Sequence, residues 1–325
     1  MRKKSQIICL EDVNKMNDVA HGIMFHHFHD EDKHIKSQGS ISGEEFRNIL
    51  LWLQRDFNII SAMEWFEKSK LQKLKKNDIC ITFDDNLLCQ YTIALPILEE
   101  LDIKAFWFIY SSPLIGVQEK LEIYRYFRSA KFNTVNDFYH SFGRIINESE
   151  YAGEVENKLK LLDTDQYLSA FPFYSIEDKI FRYTRDYILG RDRYYVLMDT
   201  MISQMGMDIK EISSTLWNTS SNLKYLDRTG HVIGLHSHTH PTHLSSLSYN
   251  QQLEEYNENL HILESIVSRK IFSMSHPCNS YNEDTINILK SMNINFGFRA
   301  NMERGYSSTL EYPRIDHALL MNQVS

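Results

Sequence analysis

Apolar positions along this chain follow two rhythms. Ile79-Cys-Ile-Thr-Phe83 and the stretch Lys104 to Tyr110 are short, β-rich apolar runs of the length expected for buried strands. The segment His21-Gly-Ile-Met-Phe-His-His27 opens with similar strand-like residues. Between such runs the spacing becomes helical. Ser42 to Arg55 carries a cap serine, Glu45 three residues later and then apolar positions on one face, which is the capping-box signal of a helix start. Tyr91 to Leu101 predicts a second helix.

From about Val117 to Tyr225 the strand signals stop, and aromatic-rich helical stretches such as LEIYRYFRSAKF, IEDKIFRYTRDYIL and RYYVLMDTMISQM follow one another. The alternation then resumes, with a strand at His231 to Leu235, a helix at Tyr249 to Val267, a strand at Ile271 to Ser275, a helix at Glu283 to Met292 and a strand at Asn295 to Arg299. Strands separated by helices predict a parallel α/β sheet or barrel, whose active site collects at the C-terminal strand ends. The expected organisation is a first barrel segment over 1–116, a helical insertion over 117–225 and a second barrel segment over 226–325. No internal repeat or low-complexity tract interrupts it.

Composition narrows the function classes. With 42% hydrophobic and 12% aromatic residues among 325, the chain has material for a buried core and no disorder-like stretch. Lys and Arg number 35 against 43 Asp and Glu, a net charge of −8, and no basic stripe suits a nucleic-acid backbone. The start MRKKSQIICLEDVNK is basic, but its apolar run, Ile7 to Leu10, is far shorter than a signal-peptide core, and no run of about 18 apolar residues appears. The expectation is a cytoplasmic protein without a transmembrane segment. Cys9, Cys80, Cys89 and Cys278 form no CxxC pair and are expected as free thiols.

Two features carry chemistry. Asp84 and Asp85 follow a buried strand directly, and on extended backbone their side chains would point to opposite sides, one toward a metal and the other toward substrate. Alone, an Asp-Asp-Asn triplet is also an ordinary turn or helix cap. The second feature is less ordinary: five of the 14 histidines fall between His231 and His243. Imidazoles with a carboxylate suit zinc or a related divalent ion, and Pro241 argues for a turn rather than a helix interior. His236 and His240 are spaced to meet on one helical turn, whereas an extended strand would also align His238, so spacing leaves the ligand set open.

These residues resemble the polysaccharide deacetylases of carbohydrate esterase family 4, the NodB-homology proteins. The resemblance rests on Thr82-Phe-Asp-Asp85 and on Gly-His-x-Ile-Gly-x-His-Ser-x-x-His over 230–240 with a trailing Leu-Ser. Ile23-Met-Phe-His26, Pro277 with Ser280-Tyr281-Asn282, and Tyr312-Pro-Arg-Ile-Asp316 agree with it. It covers roughly 20–111 and 226–317 and leaves out the helical insertion. It implies a distorted (β/α) barrel of about seven parallel strands, Asp84 as catalytic base, and Asp85, His236 and His240 as ligands of a divalent metal, zinc first, with cobalt, nickel or iron also compatible. It demotes His238 and His243 and leaves His231 a structural role. It also implies that the backbone N–H of Cys278 helps hold the oxyanion. In that chemistry the ion keeps open positions for water and the substrate carbonyl, and Asp84 takes the water's proton.

The chain departs from the family pattern in two places. Ser275-His-Pro-Cys-Asn279 stands where many members have Arg-Pro-Pro-Tyr-Gly, so the arginine that orients the base is missing. Arg314, paired with Asp316, is the expected substitute, the competing expectation being that these two form only a surface or structural ion pair. The family's late Leu-x-His, source of the general acid, has no match, and His317, His276 and His26 remain candidates.

The implied reaction is hydrolysis of an N-acetyl group on a sugar. Most family members that act on cell-wall polymers are exported, so a cytoplasmic protein points to a nucleotide- or lipid-linked precursor in surface-polysaccharide assembly, such as O-antigen. Tyr, Phe and Arg of the insertion could cover the site or simply fill a helical core. Competing readings are a non-catalytic metal- and sugar-binding relative, a facial-triad non-haem iron enzyme and a helical interaction module on a scaffold barrel. Sugar, carrier and oligomeric state are not legible.

Overall fold

The computed structural model describes residues 15–168, 175–303, 305 and 308–321. Cys9 and the Ile7 to Leu10 run lie outside them. The chain forms two compact units, one over 118–215 and the other from the remaining segments on either side.

The larger unit is built on eight strands: β1 His21–Phe25, β2 Asn58–Ile59, β3 Asp78–Phe83, β4 Phe106–Ile109, β5 Val232–Leu235, β6 Ser273–Ser275, β7 Phe296–Phe298 and β8 Arg314–Asp316. Seven of them run in the order β7-β6-β5-β4-β3-β1-β8, with β2 beside β3, and every pairing is parallel. The edges approach one another: Tyr312, just before β8, bridges in parallel to Phe298 of β7 through Tyr312 N–H to Gly297 O and Arg299 N–H to Tyr312 O, each 3.0 Å. The result is a nearly closed (β/α) barrel of seven parallel strands, the fold class expected.

β1, β3, β4 and β5 are buried along their whole length, which is why they read as continuous apolar runs rather than alternating ones. Helices Gly43–Asp56 and Tyr249–Ile266 start at Ser42 and Ser248, each with its capping box closed, by Glu45 and Gln251. The segment predicted as a helix from Tyr91 opens instead as a π-turn, Gln90–Ala94, before helix Leu95–Glu100. That turn draws Gln90 fully into the interior.

The smaller unit consists of helices, including Lys120–Lys131, Val135–Asn147, Ile176–Tyr183 and Gly190–Gln204. Phe127, Phe138, Phe142 and Phe181 are buried in it, with Phe138 and Phe142 5.3 and 5.4 Å from the Phe181 ring, so these aromatics form its core. The second boundary falls at 215/216 rather than at 225. Helix Ser220–Arg228 packs against β5 through Leu223 and Leu226, which join the barrel core. Among the described residues no helix is long and apolar enough to cross a membrane.

Candidate active site

β3 delivers Asp84 and Asp85 to its C-terminal end. Asp85 (φ 78°) and Asn86 (φ 57°) both adopt the left-handed conformation, which β-region geometry does not include. The two carboxylates therefore converge, contrary to the divergence expected of an extended strand. His26 Nε2 lies 3.9 Å from Asp84 Oδ2 and 4.0 Å from Asp85 Oδ2. His236 Nε2 lies 4.0 Å from Asp84 Oδ2 and 3.4 Å from Asp85 Oδ1.

His236 follows β5, and His240 reaches the same place from an irregular loop rather than from a helical turn. Left-handed Ser237 and His240 bend the chain so that the two rings lie 4.9 Å apart, with His240 Nε2 3.3 Å from Asp85 Oδ1. His238 is turned elsewhere, its Nδ1 2.9 Å from Ser111 Oγ. His243 is exposed before the short turn Leu244–Ser246. His231 is buried, its Nδ1 accepting from Ala105 N–H at 3.1 Å and Trp107 Nε1–H at 3.2 Å.

Asp85, His236 and His240 each offer one ligand atom, all within 4.8 Å of one another. Asp85 Oδ1 is buried and accepts no well-formed hydrogen bond, although both imidazole Nε2 atoms face it. His236 Nδ1 lies 2.9 Å from Ser275 O, a hydrogen bond that leaves the Nε2 lone pair directed at the carboxylate. An orphaned carboxylate oxygen with two converging imidazoles is a donor set that fits a divalent cation.

Arg314 does not pair with Asp316. Its fully buried guanidinium makes a two-pronged contact with Asp84, Nη1 to Oδ1 and Nη2 to Oδ2, both 2.7 Å. Nε donates to Arg299 O at 3.0 Å, and Nη2 donates to Ser275 Oγ at 3.1 Å. The expectation of a surface or structural Arg314–Asp316 pair fails for the same reason: β8 pairs with β1, next to β3, and this register aims Arg314 at the end of β3. Asp316 caps Ala318 N–H and stands 3.3 Å from His317 Nδ1. A planar guanidinium matches a carboxylate in two parallel hydrogen bonds.

These contacts set the charge states. Burial pushes Asp84 upward, but Arg314, His236 and His26 outweigh it and hold the carboxyl below its usual value. Burial also opposes ionisation of Asp85, yet His240, His236 and His26 hold it well below. His236 is raised, because Asp84 and Asp85 outweigh its desolvation.

The three candidate acids separate by position. His276 is buried against the Tyr281 ring with Nε2 3.0 Å from Leu310 O, and burial lowers it to about 3. His317 is buried, stacked on Phe25, and lowered by desolvation. His26 faces both carboxylates with part of its side chain exposed.

Cys278 lies in the turn Pro277–Asn279, left-handed at φ 50°, and is followed by left-handed Asn279 at φ 56°. Asparagine tolerates that conformation better than most residues with a Cβ, so the missing glycine need not abolish the turn. The Cys278 thiol is raised to about 11 by burial and by the neighbouring Asp85 and Asp84 charges. Among the described residues Cys80, Cys89 and Cys278 form no disulfide.

Residues not anticipated also serve the site. Ser275 Oγ lies between Asp84 Oδ2 at 3.2 Å, His236 Nδ1 at 3.0 Å and Arg314. Gln90 Nε2 donates to His26 O at 2.8 Å and to Asp84 O at 2.5 Å. Nothing local in the sequence marks the Ser275 contacts or the Gln90–His26 contact, because each joins segments far apart along the chain.

The model of the polysaccharide deacetylase family matches residues 200–297, under a third of the chain, a span that includes His236, His240 and Cys278. No curated protein gives a significant match. Among solved structures, IcaB from Ammonifex degensii is similar at 13% identity and TM-score 0.56, over 94% of this chain and 95% of that one. The Streptococcus pyogenes deacetylase PplD in complex with acetate is similar at 16% identity and TM-score 0.52, over 91% of each chain. A de-N-acetylase from Aggregatibacter actinomycetemcomitans gives 11% identity and TM-score 0.52, over 91% and 93%. The segment 200–297 is thus similar to the polysaccharide deacetylase family, and the solved deacetylase structures share this chain's fold.

Proposed function

We propose that this protein is a metal-dependent carbohydrate deacetylase that hydrolyses the N-acetyl group of a sugar, with a nucleotide- or lipid-linked precursor of a surface polysaccharide as the substrate form. One observation carries the reading: Asp84, held ionised by Arg314, stands beside the converging Asp85, His236 and His240.

Asp85, His236 and His240 would hold a divalent ion, zinc in the first instance, whose Lewis acidity favours ionisation of water and polarises the amide carbonyl. Asp84 accepts the proton of the attacking water as its oxygen bonds to the acetyl carbon. The two prongs of Arg314 fix the plane of that carboxylate, and Ser275 Oγ supports it at 3.2 Å. The Cys278 N–H is assigned to the developing oxyanion. His26, protonated, gives its proton to the nitrogen as the carbon–nitrogen bond breaks, releasing acetate and the free amine. It takes this role over His276 and His317 because it alone of the three faces the carboxylates with an exposed edge.

The test is acetate release from nucleotide- and lipid-linked acetamido sugars by metal-analysed wild type, Asp84→Asn and His236→Ala. Wild type alone should release acetate, Asp84→Asn should retain metal and His236→Ala should lose it. Metal bound at this site with no acetate from any sugar would replace the catalytic reading with that of a binding protein.

A further inference from the structure

The segment His236 to His240 holds its shape without a helix or strand of its own, and Ser237 (φ 63°) and His240 (φ 54°) are non-glycine residues in the left-handed region. Such conformations persist only where surrounding contacts determine them. Ser111 Oγ and the Ser112 N–H hold His238 from the end of β4, and one helix face supplies four further contacts. From helix Tyr249–Ile266, buried Asn259 accepts the His236 N–H on Oδ1 at 3.0 Å and donates Nδ2–H to Ile109 O at 2.9 Å. One turn earlier, Glu255 Oε2 accepts the N–H groups of His238 at 2.9 Å and Thr239 at 2.8 Å, while Oε1 accepts the Thr239 hydroxyl at 2.6 Å. Residues four apart share a helix face, so one rigid element grips the loop at both its start and its middle.

We propose that Glu255 is a positioning residue for cation binding: with Asn259 it clamps the His236–His240 loop in the shape that turns both Nε2 atoms toward Asp85. This rests on reading Asp85, His236 and His240 as the metal site. Glu255 accepts from all three partners, both loop N–H groups on Oε2 and the Thr239 hydroxyl on Oε1. An alanine offers no acceptor, so the two backbone N–H groups lose their partner. Without the clamp the loop relaxes from its left-handed kinks, and the ligands must be reordered each time an ion binds.

The test uses the full chain, stripped with chelator and titrated with zinc in competition with a chromogenic chelator, for wild type, Glu255→Ala, Thr239→Val and His236→Ala. The melting midpoint of each metal-free protein is measured alongside. Glu255→Ala should raise the zinc Kd by about 10–100-fold with its metal-free midpoint nearly unchanged. Thr239→Val, which removes one of the three donors at an exposed position, should give a smaller rise. A zinc Kd for Glu255→Ala within about twofold of wild type, or a weakening matched by collapse of the metal-free midpoint, overturns the clamp. Wild type binding zinc no better than His236→Ala overturns the metal-site reading itself, which separates the two failures.

Discussion

Gly22 leaves the space that Arg314 occupies: a Cβ built on Gly22 would stand 2.9 Å from Arg314 Cγ and 3.2 Å from Cδ. Gly22 and Arg314 are register partners on β1 and β8. The absence of one side chain thus lets the other pass to Asp84.

Gly22→Ala should therefore displace Arg314 rather than merely crowd the sheet. The expected stability loss is about 1–3 kcal/mol, the usual range for overpacking. Arg314 lowers the Asp84 carboxyl, so its displacement raises that pKa, and the acid limb of the pH–rate profile should move to higher pH. A profile measured on the folded variant checks this; an unmoved acid limb would show that the guanidinium does not govern the base.

Arg314→Ala is expected to be more severe. It leaves the buried Asp84 without its main counter-charge, a loss typically worth about 3–5 kcal/mol. Urea denaturation of wild type and variant measures it, and an unchanged midpoint would contradict the contact.

His26→Gln should lower kcat by about 10²–10⁴-fold, the usual range for loss of a general acid or base, with bound metal per chain unchanged. Metal analysis and steady-state kinetics on the same preparation separate this outcome from loss of the ion. Near-normal kcat would return the acid role to another group.

Acid should destabilise the fold through histidines remote from the chemistry. Burial lowers His21 from 6.5 to about 4 and His231 from 6.5 to about 3. Both are neutral in the folded state at pH 6, while the unfolded chain takes up their protons below about 6.5. Stability then falls as pH drops from about 6.5 through the folded values, by about 3 kcal/mol from His21 alone at pH 4. Denaturation midpoints between pH 7 and 4 should decline, and His231→Gln should flatten the slope if it folds. A flat wild-type curve would refute the assignment.

The periodicity of the chain determined much of the barrel because its signals are local. Uninterrupted apolar runs mark strands covered on both faces, and Ser42 with Glu45 marks a helix start within four residues. The Asp84-Asp85 pair and the histidines from His231 to His243 were likewise visible as adjacent residue types. Tertiary structure decided what these residues face. Arg314 meets Asp84 instead of Asp316 because parallel register places β8 beside β1 and β1 beside β3, a relation between segments more than 200 positions apart. The two carboxylates converge, and His236 meets His240 while His238 turns away, because Asp85, Ser237 and His240 take left-handed conformations that no periodicity announces. His276 and His317 differ from His26 in burial and in what each ring faces, both of which depend on what packs around the ring rather than on the residue or its neighbours in sequence.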